Sequence, residues 1–178
     1  MMADRYSTES TLERIIGFIG HCDQKANMLL AFVGVVITLL FTSGLFDTIK
    51  STLVVPFIDY WKYGIGTFHC GRFLLFISIM CVCLFAGYAL WLLIKVIRPQ
   101  IDNKNSLSRI YFGDISIKTF EDFKIYPIDY NYEEDLLHQI HINSQICAKK
   151  YVDLKKAINY IIAMIISCFV MYILILFL

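Results

Sequence analysis

The chain is expected to be a mainly α-helical integral membrane protein. Three transmembrane helices are foreseen, the first and third extended as cytoplasmic stalk helices, with a small irregular or β-like cytoplasmic insert. Three observations carry this expectation. Apolar runs occupy 28–46, 73–94 and 157–178, each about the 20 residues that a helix needs to cross a bilayer. None contains Asp, Glu, Lys, Arg or His, although one charge at mid-membrane costs at least ~2.5–3.5 kcal/mol and is kept only where it works. The hydrophobic share of 58% against 17% charged exceeds that of soluble domains.

The elements follow in order. Ser10 with Glu13 has capping-box spacing, and Ser7 offers an earlier start. No proline follows until Pro56, so one helix from about Ser10 to Phe46, ~55 Å long, is predicted. The loop 47–72 carries Phe57, Tyr60, Trp61, Tyr63 and Phe68, an aromatic set suited to a membrane interface. The second span ends at Pro99, which cannot continue a helix. The β-branched and aromatic runs IYFGDISI and FKIYPI then suggest short strands or a compact loop, with turns at Gly113 and Pro127. Asn131 can cap a last helix whose first turn holds Glu133, Glu134 and Asp135. Running to Leu178, it would be ~70 Å long.

With the spans removed, an N-terminal arm 1–27, the loop 47–72 and the segment 95–156 remain. That is one membrane domain over 1–178 with one small lobe, too little for a separate catalytic domain. Lys95 and Arg98 follow the second span, and Lys149, Lys150, Lys155 and Lys156 precede the third. The positive-inside rule therefore places 1–27 and 95–156 in the cytoplasm, the N-terminus inside and Leu178 outside. The first apolar run starts too late for a cleavable signal peptide and is expected to stay as an anchor. A net charge of +1 gives no reason to expect a nucleic acid polymer as partner. The six cysteines show no zinc spacing and read as small apolar filler. His138 and His141 are one helical turn apart but lack a matched thiolate or carboxylate, so no metal site is expected. No nucleophile elbow, Walker loop or HExxH is present, and no catalytic residues are assigned.

A candidate binding site emerges where the stalks would pair. Arg14, His21 and Lys25 share a face of the first, while Gln139, Asn143 and Lys150 form a polar stripe on the last. Leu136, Ile140, Cys147 and Leu154 form the adjacent apolar stripe. Pairing through apolar faces would gather Arg14, His21, Lys25, Gln139, Asn143, Ser144 and Lys150, with Arg109 and Tyr111 closing over them. Cations for phosphate, amides for base edges and a ring for stacking suit a small phosphorylated ligand. The same pattern also describes a solvated helical face with juxtamembrane positive charge. Asp23 is expected to be structural, hydrogen-bonding or pairing with a basic neighbour. Ala31, Gly34, Thr38 and Thr42 in the first span, and Ala86, Gly87 and Ala89 in the second, permit close helix packing and favour a homo-oligomer.

Three motifs stand in order around the spans: D-x-K-A at Asp23, Lys25 and Ala26; YFGDI at Tyr111 to Ile115; and QI..NS.I...K at Gln139, Ile140, Asn143, Ser144, Ile146 and Lys150. In this the chain resembles the Pycsar transmembrane effectors, PycTM, over most of its length except the loop 47–72. The resemblance implies an anti-phage effector of the bacterial inner membrane, not an enzyme and with no cofactor. In that family a partner cyclase makes cyclic CMP or cyclic UMP, and the effector answers by impairing the membrane so that the infected cell dies. Two other readings remain at this point. One is a CBASS-type effector answering a cyclic oligonucleotide. The other is a constitutive structural or adaptor subunit of a membrane complex. A small channel or transporter is disfavoured by the charge-free spans.

Overall fold

The computed structural model describes residues 2–42, 44, 47, 50, 70–99, 108–125 and 130–177. Five helices are described: α1 Met2–Thr42, α2 Cys70–Ile97, α3 Phe112–Ile117, α4 Phe120–Lys124 and α5 Tyr132–Phe177. Three of them, α1, α2 and α5, are long and apolar enough to cross a membrane. The protein is a mainly α membrane protein.

Helix α1 has 41 residues and starts at Met2, not at Ser10. The expected cap is an interior turn: the Ser10 and Thr11 hydroxyls both donate to the Ser7 carbonyl, at 2.9 and 2.8 Å. Serine and threonine in mid-helix can satisfy themselves this way, so capping-box spacing alone does not fix a start. The described helix runs to Thr42; the expected end at Phe46 lies outside the described residues, and Gly44 stands at φ 70°. That left-handed conformation suits glycine and terminates helices. Helix α2 stops two residues before Pro99, as its missing N–H requires. Asn131 Oδ1 accepts the N–H groups of Glu133 and Glu134, so the last helix is capped where predicted. Its 46 residues make it ~69 Å long.

The β-like insert is a correction. IYFGDISI folds as α3, and the start of FKIYPI closes α4; among the described residues there is no strand. Thr119 caps α4, accepting the Asp122 N–H at 3.2 Å and donating to the Asp122 carboxylate at 2.6 Å. A turn of helix makes its backbone hydrogen bonds within the segment, whereas a strand here would need a sheet that a piece this short cannot build. The turn at Pro127 and nearly all of the aromatic loop 47–72 lie outside the described residues.

The chain divides into two compact units. The lobe comprises Met1–Lys25 and Val96–Val152; the span unit comprises Ala26–Lys95 and Asp153–Leu178. In the span unit most buried positions recur every three or four residues. On α2 these are Leu75, Ser78, Val82, Ala86, Ala89 and Leu93, with Leu92 also buried; on α5 Leu154, Ala157, Ile161 and Met164 continue to Met171, with Asp153 also buried. This is the seam that knobs-into-holes packing requires. Lipid is as apolar as leucine, so close contact rather than exclusion of water holds such helices together. Ala86 and Ala89 therefore sit inside the seam. Gly34 and Gly87 do not: a Cβ at either would meet nothing within 4 Å.

Candidate functional site

Within the lobe two clusters of polar side chains lie along α5, beyond the Tyr132 hydroxyl at its start, which donates to Glu9 Oε1 at 3.0 Å. The first surrounds Gln139, which is buried, as is Ser108. Gln139 Nε2 donates to Ser108 Oγ at 3.3 Å. The same oxygen accepts the N–H groups of Ile110 and Tyr111, at 3.1 and 3.0 Å, and so fixes the turn leading into α3. Lys118 Nζ donates to the Ser108 carbonyl at 3.4 Å, and the Ser108 N–H donates to Asp114 Oδ2 at 3.1 Å. Gly113 makes room for the Tyr111 ring, since a Cβ there would lie 2.5 Å from Cε1.

Arg109 ties this turn to both flanks. Its N–H donates to Asp135 Oδ2 at 2.9 Å, an oxygen that also accepts the Tyr130 hydroxyl at 2.6 Å. Its guanidinium donates to the carbonyls of Phe123 and Ile125. It also lies over the rings of Phe123 and Tyr130, 4.7 and 5.8 Å from their centroids. A planar guanidinium is the side chain that can donate sideways and stack at once. One turn along α5, Asn143 Nδ2 donates back to the Gln139 carbonyl at 2.8 Å. Gln139, Asn143, Arg109 and Tyr111 are thus brought together, through Ser108.

The second place lies eleven residues further along α5, ~16 Å away. Lys150 Nζ is 2.5 Å from Asp23 Oδ1, in an ion pair linking the lobe portions of α1 and α5. The Lys150 side chain is 4% exposed and that of Asp23 32%. The expected structural role of Asp23 is met here. Cys22, fully buried, adjoins the pair. Burial, and then the Asp23 carboxylate, push its thiol pKa above the ordinary value, while Lys150 and Lys25 pull it down and the Cys147 thiol pushes it up. Burial likewise raises the Cys147 thiol. Arg14, His21 and Lys25 are exposed on α1. The seven sequence-predicted residues therefore fall into two groups and one isolated position: Gln139, Asn143, Arg109 and Tyr111; Lys150 with Lys25 near it; and Arg14 further along α1.

Three residues escaped the sequence reading. Ser108 and Asp135 organise the Arg109 turn; the hint for Ser108 was a hydroxyl three residues before the YFGDI motif. Asp153, in the span unit, is paired with Lys95 at 3.0 Å, the two side chains being 8% and 39% exposed. Its Oδ2 is in ionic contact without the alignment of a hydrogen bond. Lys95 also lies over Trp91 at 5.5 Å, and Trp91 and Tyr160 flank Tyr88 at 5.5 and 4.6 Å. The signal for Asp153 was its place on the apolar stripe, beside Leu154 and one turn before Ala157. Among the described residues no group of His, Cys, Asp and Glu is arranged to hold a metal.

Comparison with known proteins covers almost the whole chain. Residues 8–178 match the family described as PycTM, Pycsar effector protein domain. The chain is 29% identical over 168 residues to the Pycsar effector protein GmPycTM of Gulbenkiania mobilis, an alignment spanning 86% of this chain and 83% of that protein. No solved structure matches it.

Proposed function

Because this chain belongs to the Pycsar effector family, we propose that it is an anti-phage effector of the bacterial inner membrane. It binds cyclic CMP or cyclic UMP, made by a partner cyclase, through its lobe, and then impairs the membrane so that the infected cell dies. It acts as a homo-oligomer, with the N-terminus cytoplasmic and the C-terminus outside, and as a receptor rather than an enzyme. Lys25 and Lys150 hold the phosphodiester, with Arg14 as a further cation. Gln139, Asn143, Arg109 and Tyr111 supply amide, guanidinium and ring groups from the other end of the lobe.

The observation that carries this reading is the unbroken run of α1 and α5. Each belongs to the lobe at one end and to the span unit at the other. A continuous helix gives a rearrangement of the lobe ends a direct covalent route to the spans. A ligand drives such a change only through its differential affinity for the two arrangements.

The test is a titration of purified chain with a panel of cyclic mono- and oligonucleotides, followed by thermal stability. The activating nucleotide, at 100 times its dissociation constant, should add about 2.7 kcal/mol. A panel without any stabilising member would contradict the reading. Stabilisation by a cyclic oligonucleotide alone would move the chain to CBASS-type signalling.

A further inference from the structure

Among the described residues of the lobe Lys150 is the buried cation, and Asp23 is its counter-ion at 2.5 Å. The two partners are unequally placed. The ammonium is 4% exposed and lies behind a carboxylate that is 32% exposed. A buried ammonium persists only with a compensating charge. An anion arriving from solvent therefore meets Asp23 before it meets Lys150, and two anions crowded on one buried cation repel each other.

We infer that Asp23 occupies, in the ligand-free chain, the position that the phosphodiester of a cyclic nucleotide takes on Lys150. The inference rests on the nucleotide-gated reading above and specifies how that site is kept closed. A phosphodiester carries one negative charge, as a carboxylate does, so exchange leaves Lys150 equally neutralised. What changes is covalent connection. Asp23 belongs to α1 and Lys150 to α5, so their pair ties the two helices within the lobe. A ligand phosphate belongs to neither. Binding thus converts a tie between the helices into a contact of α5 with the ligand. Lys25, exposed two residues beyond Asp23 on the same helix, adds positive charge to the surface that the anion approaches.

Cys22 provides a reporter already in the chain. It precedes Asp23, is fully buried, and is a thiol that reacts only when uncovered. The full chain in nanodiscs is titrated with cyclic CMP and cyclic UMP while maleimide labelling of Cys22 is followed by mass spectrometry. Binding should speed labelling about tenfold or more, and Asp23→Asn should bind the same nucleotide about tenfold more tightly. Nucleotide bound at unchanged Cys22 reactivity, or Asp23→Asn binding no more tightly than the unaltered chain, overturns the inference and leaves nucleotide gating standing. If the unaltered chain binds neither nucleotide, the gating reading fails instead. Inorganic phosphate at fixed ionic strength then decides the occlusion: it should stabilise Asp23→Asn and not the unaltered chain, and an equal response overturns it. Should Asp23→Asn fail to insert, Asp23→Ser takes its place in the same measurements.

Discussion

The lobe and the span unit bury different chemistry. Among the described residues the lobe buries Leu12, Cys22, Val96 and Leu136 together with three polar side chains, Ser108, Gln139 and Lys150. Among its described residues the span unit buries thirteen apolar side chains and two polar ones, Ser78 and Asp153. Ser78 satisfies itself on the Leu75 carbonyl at 2.8 Å, and Asp153 is the first span-unit residue of α5. A buried polar group without a partner costs about 1–3 kcal/mol. A unit that keeps three of seven buried side chains polar is thus specified by its pairings, while the other is specified by its seam. Specific recognition belongs to the first kind of interior. The second is a scaffold that close packing alone can hold.

Separating the two units should have the largest effect. A flexible Gly-rich insertion between Lys156 and Ala157 should leave nucleotide binding largely intact and abolish membrane depolarisation. Cells expressing this variant should keep their potential when the nucleotide is supplied, and full depolarisation would contradict transmission along α5.

Next in size is the ion pair of the span unit. Lys95→Met leaves the Asp153 carboxylate buried without its cation, which typically costs about 3–5 kcal/mol. Asp153→Asn leaves Lys95, already 39% exposed, free to reach solvent, and should cost far less. The order is read from thermal unfolding in detergent, and a reversed order would mean that the pair is not what keeps Asp153 buried.

A smaller effect is expected in the lobe. Lys25→Ala should weaken nucleotide binding about tenfold, since one charge-assisted hydrogen bond contributes roughly 1.5–3 kcal/mol. Because Lys25 is exposed, unfolding of the ligand-free protein should not move. Isothermal titration checks the first statement and a thermal scan the second; unchanged affinity would remove Lys25 from the site.

Smallest in stability is Gly34→Leu. Nothing within 4 Å would meet a Cβ there, so the single chain should fold unaltered. Activity should nevertheless fall, because Gly34, Thr38 and Thr42 form an exposed stripe of small residues available to a second copy. Full killing by Gly34→Leu would remove that stripe from any working contact between chains.

How much of this was legible in the sequence differs between the same two regions. The three long helices were, because twenty uncharged apolar residues permit little else, and Asn131 and Pro99 mark their ends by chemistry that acts locally. The start of α1 was misplaced. Ser10 is as able to bond backward to Ser7 as to cap. The insert was misjudged because β-branched and aromatic content signals a strand only where a sheet exists to receive it. In the site, the partnership of Asp23 with a basic residue was foreseen, but its identity was not. Lys150 lies 127 residues away, and only the register of α1 against α5 selects it over the neighbouring lysines. Ser108 and Asp135 were invisible for the same reason: their work is to accept N–H groups of a turn whose course no local pattern fixes.

The central claim is that a cyclic nucleotide received by the lobe changes the state of the membrane. It is tested most directly with the purified full chain in sealed vesicles, where a potential-sensitive dye is followed as cyclic CMP or cyclic UMP is added on the side of Lys150. The expected result is loss of potential at nucleotide concentrations that match the binding curve, absent from vesicles carrying Lys150→Met. Saturating nucleotide binding with the potential fully retained would contradict it.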